Sequence, residues 1–145
     1  MTEATAVRTD APMTGLSHVQ LLVSDVRASA EWYTVALGLE PYAGSVAVGY
    51  VALRHRGSKV VVVLTARPGS VVDSDADGAA SSHETLDHLA FAVSDAVALG
   101  AWADHLTEVG LEHPGVVLEN GNPSLQLRDP DGIAIELVTS GHPSL

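Results

Sequence analysis

The sequence predicts an α+β fold built from two tandem βαβββ modules. Three observations lead there: a repeat spanning the chain, a Ser-Asp helix start after a short alternating strand in each copy, and a closing hairpin with a recognisable turn. The segment LSHVQLLVSDVRASAEWYTVALGLE (Leu16 to Glu40) matches LDHLAFAVSDAVALGAWADHLTEVGLE (Leu86 to Glu112) in frame. His18 falls on His88, the Val-Ser-Asp of 23 to 25 on that of 93 to 95, Trp32 on Trp102, and Gly38-Leu39-Glu40 on Gly110-Leu111-Glu112. Self-similarity at a fixed spacing means one supersecondary unit used twice.

Each copy opens on an alternating stretch, HVQLLV or HLAFAV, which reads as a strand, and Ser-Asp then supplies a helix N-cap. Val26 to Leu37 and Ala96 to Val109 are the helices, stopped by Gly38 and Gly110 in the position that favours a left-handed backbone. Strand-like runs follow: VGYVALRH and KVVVVLTA in the first copy, GVVLE, SLQLR and IAIELV in the second. Residues 1–14 are expected to be a disordered tail and 15–140 a single domain. Within it, module 1 covers about 15–67, a linker 68–85 and module 2 about 86–140. Trp32 and Trp102, at matching helix positions, are expected in the core or an interface.

A chain of 145 residues buries a core without staples, and with no cysteine it has neither disulfides nor thiolate metal sites. The net charge of -11 repels nucleic acid and anionic membranes, and a content of two Trp, three Tyr and one Phe argues against a base-stacking platform. No apolar run is long enough to span a bilayer, and the start carries no targeting pattern, so a cytoplasmic protein is expected. The linker segment DSDADGAASSHE (Asp73 to Glu84) satisfies the EF-hand loop spelling, but a strand precedes it and another follows two residues later. An EF-hand requires a helix on each side, so the match is read as a loop.

Side-chain parity locates a site. His18, Gln20 and Leu22 share one face of the first strand, and His88, Ala90 and Ala92 the same face of its repeat, opposite the residues expected to pack on the helices. In the last hairpin, Pro130-Asp131-Gly132 suits a three-residue loop, which pairs Arg128 with Ala134 and Gln126 with Glu136 and turns Glu136 to the histidine face. Carrying that alignment to the first copy at an offset of 73 sets Val63 where Glu136 stands, Leu53 where Gln126 stands and His55 where Arg128 stands. Two imidazoles and a carboxylate, His18, His88 and Glu136, form a set that holds Fe(II), Mn(II) or a similar ion with open coordination positions.

These residues resemble the vicinal oxygen chelate superfamily, which includes glyoxalase I, extradiol dioxygenases, fosfomycin resistance transferases, methylmalonyl-CoA epimerase and bleomycin-binding proteins. The resemblance spans about residues 15 to 140 and rests on GLSHVQLLVSD, LDHLAFAVSD and LRDPDGIAIELV. It implies a curved mixed sheet forming a half-barrel cup with helices outside, metal ligands at His18, His88 and Glu136, and a homodimer. It also implies that the cup closes either within one chain or across a swapped dimer. Glyoxalase I is similar but has a carboxylate at the place of Val63, and methylmalonyl-CoA epimerase a glutamine there. Extradiol and fosfomycin enzymes commonly have a tyrosine at the place of Gln126, and the fosfomycin enzymes a threonine at that of Gln20, together with a basic set that has no match here.

The leading expectation is a divalent-metal enzyme acting on a small apolar or aromatic substrate through two neighbouring oxygens, dioxygenase-like first, with Fe(II) or Mn(II) favoured and Ni(II) or Zn(II) as alternatives. Gln126 and His55 are the candidate catalytic groups, with His83 a second possible acid-base residue, and Gln20, Leu53, Val63 and Arg128 are candidate substrate contacts. The expected apolar wall comprises Val51, Leu53, Val61, Val63, Ala90, Ala92, Ala134 and Val138. The competing class is a bleomycin-resistance-type module that sequesters a small molecule without chemistry. Glyoxalase or lyase, epimerase and thiol-transferase activities are further alternatives.

Overall fold

The structure, a computed structural model, describes residues 9–68, 85–119 and 121–139. The loop from Asp73 to Glu84, His83 within it, and the first eight residues of the expected tail lie outside them. Module 1 consists of β1 (Val19–Val23), α1 (Val26–Leu37), β2 (Glu40–Ser45), a single 3₁₀ turn (Val46–Val48), β3 (Tyr50–Arg54) and β4 (Val61–Ala66). Module 2 repeats the plan with β5 (Leu89–Val93), α2 (Ala96–Glu108), β6 (Val117–Glu119), β7 (Asn122–Arg128) and β8 (Ala134–Thr139). Each module forms an open four-stranded mixed sheet, ordered β1-β4-β3-β2 or β5-β8-β7-β6. The predicted βαβββ plan is therefore present twice, as open sheets.

The helices begin where capping chemistry allows. The carboxylates of Asp25 and Asp95 accept hydrogen bonds from the backbone N–H of Ala28 and Ala98, at 3.0 and 2.8 Å, satisfying donors that the first helical turn leaves unpaired. Gly38 ends α1 at φ 72°, and its N–H bonds back to the Thr34 carbonyl. Strand β2 escaped the sequence reading because Glu-Pro-Tyr-Ala-Gly-Ser resembles a loop. It is an exposed edge strand with a register shift between Pro41 and Ala43, the setting in which a sheet tolerates proline.

Leu21, Val23, Val62, Leu64, Leu53, Leu125, Leu127, Ile135 and Leu137 are buried in one cluster with Tyr33, Leu99 and Leu106 of the helices. Both modules therefore share one core, each helix covering one face of its own sheet and leaving the other face open. The tightest link between modules is polar. Asp129, 4% exposed, accepts a 2.7 Å hydrogen bond from the Tyr33 hydroxyl and backbone bonds from Asp131 and Ile133. Next to it, both carboxylate oxygens of Asp131 accept from the Ser24 N–H at 3.1 Å, and one lies 4.0 Å from the Arg67 guanidinium. The turn of the second module is thus held by the start and helix of the first.

Burial foremost, then the hydrogen bond and charge of Asp129 and the charge of Asp131, hold the Tyr33 phenol far above its ordinary value of 10.0. Because the folded value is raised, the contribution of this group is intact below about pH 10. It falls above that pH, where only the unfolded chain ionises. Tyr33→Phe removes the hydrogen bond to Oδ2 of a buried carboxylate, so denaturant unfolding should show a loss of about 1–3 kcal/mol at neutral pH. The variant should also lose part of the decline in stability that the native chain shows above about pH 10.

Candidate metal centre on the open sheet faces

Strands β5 and β8 run parallel with Ala90 beside Glu136, and His88 stands immediately before β5 on the same face. This brings His88 Nε2 within 3.5 Å of Glu136 Oε2. On the other side of the ring, Nδ1 lies 2.7 Å from the Asp87 carboxylate. A carboxylate only accepts, so Nδ1 carries a proton, and in the neutral ring the Nε2 lone pair is directed at Glu136. An imidazole lone pair facing a carboxylate oxygen suits a cation between them, and a histidine whose far nitrogen is held by a carboxylate is the usual setting of a metal ligand. The donor chemistry of this pair therefore fits a divalent ion.

His18 is placed differently. It precedes β1, is exposed, and its Nδ1 lies 3.0 Å from Ser17 Oγ, the position that the repeat matches to Asp87. Among the described residues, no three His, Asp or Glu side chains of one chain converge on a point. The structure thus brings together two members of the expected triad and leaves the third on the face of the other module. Asp87 was missed in the sequence reading, although the Asp-His pair at the start of a strand was available as a signal.

The hairpin of module 2 has the expected register, with Gln126 beside Glu136 and Arg128 beside Ala134, and Gly132 at φ 82°. Gln126 and Arg128 are exposed on the open face, and the Arg128 guanidinium donates to the Gly132 carbonyl at 2.9 Å. In module 1, Gln20 lies beside Val63 and donates through Nε2 to Thr65 Oγ1 at 2.7 Å.

The first module's hairpin requires a correction. The offset of 73 holds for β4, but β3 is offset by 74, because Arg54 pairs with Val61 across one more loop residue than separates Arg128 from Ala134. A slip of one residue turns every side chain of a strand to the other face. Ala52, not Leu53, therefore stands beside Val63, while Leu53 is fully buried beside Val62 and Val51 is buried beside Leu64. His55, with the same parity, lies on the helix side and not with the histidine face. The sequence reading also missed Tyr50, which the register sets beside Thr65 on the open face with its ring against Gly44, and Tyr42, whose ring lies 5.2 Å from the Arg54 guanidinium.

With this geometry in view, a family profile described as the glyoxalase/bleomycin resistance protein/dioxygenase superfamily matches residues 15–137. The chain belongs to that superfamily. Solved structures share its fold. One is a glyoxylase/bleomycin resistance protein/dioxygenase domain from Frankia sp. EAN1pec, 24% identical over 89% of this chain and 99% of that one, with a TM-score of 0.69. A lactoylglutathione lyase from Agrobacterium tumefaciens is 20% identical over 89% and 96%, with a TM-score of 0.68. The fosfomycin resistance protein FosX from Listeria monocytogenes is 16% identical over 89% and 95%, with a TM-score of 0.62, and a variant of it was solved with Mn(II) and a dihydroxypropylphosphonic acid. No curated protein sequence matches the chain. Among the described residues, no helix is long and apolar enough to cross a membrane.

The corrected register makes a quantitative statement about Leu53. Leu53→Ala should cost about 2–5 kcal/mol in denaturant unfolding, because it empties a fully buried site. A loss below about 0.5 kcal/mol would place the side chain on the open face after all.

Proposed function

We propose that this protein is a divalent-metal-dependent enzyme whose site is assembled between two copies of the chain, and that it acts on a small organic substrate presenting two neighbouring oxygens. The observation that carries this reading is the His88–Glu136 pair, 3.5 Å apart, with the far ring nitrogen held by Asp87. His88 Nε2 and a Glu136 carboxylate oxygen would hold the ion from one copy, and His18 of a second copy would supply the third donor. A pairing of the first module's open face with the second module's open face across a homodimer would supply the third donor that the described residues of one chain do not bring together. The exposed apolar residues on and beside these faces, Leu22, Leu16 and Leu86, favour such burial.

The ion, when bound, would supply Lewis acidity and open positions for two oxygens. The chain's own residues do the rest. Glu136 and His88 contribute one negative charge and one neutral donor, leaving the site net positive toward an ionised oxygen. Val61, Val63, Ala52, Ala90 and Ala134 give the faces an apolar floor, and Tyr50 adds an aromatic surface, a combination suited to a hydrocarbon or aromatic body. Gln20, Gln126 and Arg128, polar groups on the open faces, would orient the substrate. Val63, where a fourth carboxylate would stand, favours a three-ligand, dioxygenase-like site over a glyoxalase-like one.

A second reading is sequestration of a cationic small molecule without chemistry. The net charge of -11, and the lack of a three-donor cluster among the described residues, favour it. The two readings part on chelation: a sequestering protein binds its ligand equally well without metal, whereas the enzyme loses activity.

His88→Ala and Glu136→Gln should each abolish transition-metal binding, read by elemental analysis after anaerobic loading with Fe(II) or Mn(II). His18→Ala should do the same. Mixing unfolded His18→Ala and His88→Ala chains and refolding them together should restore binding, since a heterodimer then contains one intact site. Restored binding supports assembly across copies; no restoration, with both variants folded, rules it out.

A further inference from the structure

The two hairpin turns occupy equivalent places in the repeat, yet their contacts with the opposite module differ. On one side Asp129 reaches Tyr33 of α1 and fills the junction. On the other, the equivalent of Asp129 is His55 and the equivalent of Tyr33 is Ala103, so no phenol spans the gap. A cavity of about 390 Å³ lies there, between the end of α1, the turn after β3, and the helix side of β5, β8 and α2. That volume is of the order of small-molecule sites.

Its walls are apolar. Leu37 and Leu39 face it from module 1, and Phe91, Leu137 and Trp102 from module 2. The one ionisable side chain among its lining residues is His55, and its tautomer is set. The Ser58 N–H donates to His55 Nδ1 at 3.2 Å. Ser58 Oγ lies 2.8 Å from the same nitrogen while accepting from the Val60 N–H at 3.3 Å. Nδ1 is thereby the acceptor, and the proton of the neutral ring resides on Nε2. An apolar chamber whose one ionisable wall residue offers an Nε2–H donor matches an apolar ligand carrying an acceptor.

We propose that this cavity is a binding site for a small neutral molecule, an apolar or aromatic body carrying one carbonyl or ether oxygen. The body packs on Trp102, Phe91 and Leu137, and the oxygen accepts from His55 Nε2–H. The chain's negative charge disfavours an anion there. Leu137 and Glu136 are neighbours in β8 pointing to opposite faces, so this site is separated from the proposed metal centre by the thickness of the sheet. It stands whether or not a metal binds.

The test uses the two indole N–H signals of the full chain in nitrogen-15 NMR, assigned with Trp32→Phe. Acetophenone is the probe, and ethylbenzene is its counterpart without the oxygen. Acetophenone should shift the Trp102 signal saturably, and Ala98→Leu, which fills the cavity from α2, should weaken that binding by tenfold or more. His55→Ala should weaken acetophenone roughly tenfold and leave ethylbenzene unchanged, the difference expected of one hydrogen bond. If Ala98→Leu does not fold, as judged by circular dichroism, Ala98→Val serves in its place. No saturable shift, unchanged binding in a folded filled variant, or shifts confined to Ala90 and Gln126 on the open face would each overturn the proposal.

Discussion

One buried carboxylate organises much of this molecule. Asp129 accepts hydrogen bonds from the Tyr33 hydroxyl and from the backbone of Asp131 and Ile133, which repay the cost of removing its charge from water. Through its own turn it closes the β7–β8 hairpin, and hairpin closure sets the register that puts Gln126 beside Glu136. Through Tyr33 it anchors that hairpin to the helix of the other module. The direction of the proposed metal-binding carboxylate and the polar attachment of the two modules therefore both draw on Asp129.

That attachment has a consequence for the site. Each sheet commits its leucine and valine face to its own helix and to the shared core, so the faces carrying His18 and His88 remain outside. Among the described residues, a His–Glu pair on one open face and a single histidine at the equivalent place on the other is the arrangement expected if the proposed site forms where the faces meet between copies. In the proposed dimer, burial of Leu22 and its neighbours would supply the driving force, and the ion would tie together surfaces already matched by the repeat.

Divergence between the repeats is chemically as informative as their similarity. Ser17 and Asp87 stand behind equivalent histidines, and only the carboxylate compels a proton onto the near nitrogen. Val63 faces Glu136 in the alignment, so one copy lacks the charge that the other presents. Ala103 in place of Tyr33, and His55 in place of Asp129, convert a closed contact into a cavity.

The sequence by itself determined the modules, both helices to within a residue, and the last hairpin, because these depend on local rules: alternation, capping by Asp25 and Asp95, and a three-residue turn at Pro130-Asp131-Gly132. Side-chain parity and the repeat alignment also put His88 and Glu136 on one face, and the register places Ala90, two residues after His88, beside Glu136. Strand β2 was hidden because an exposed edge carries no hydrophobic period. The faces of Leu53 and His55 were decided only in three dimensions, because one extra residue in the first hairpin loop reverses strand parity while leaving the sequence pattern of Val51, Leu53 and His55 untouched. Tertiary structure alone also decided that His18 does not join His88 and Glu136 in one cluster, because that depends on how the modules dock through their shared core and through contacts such as Tyr33 with Asp129, 96 residues apart in the chain.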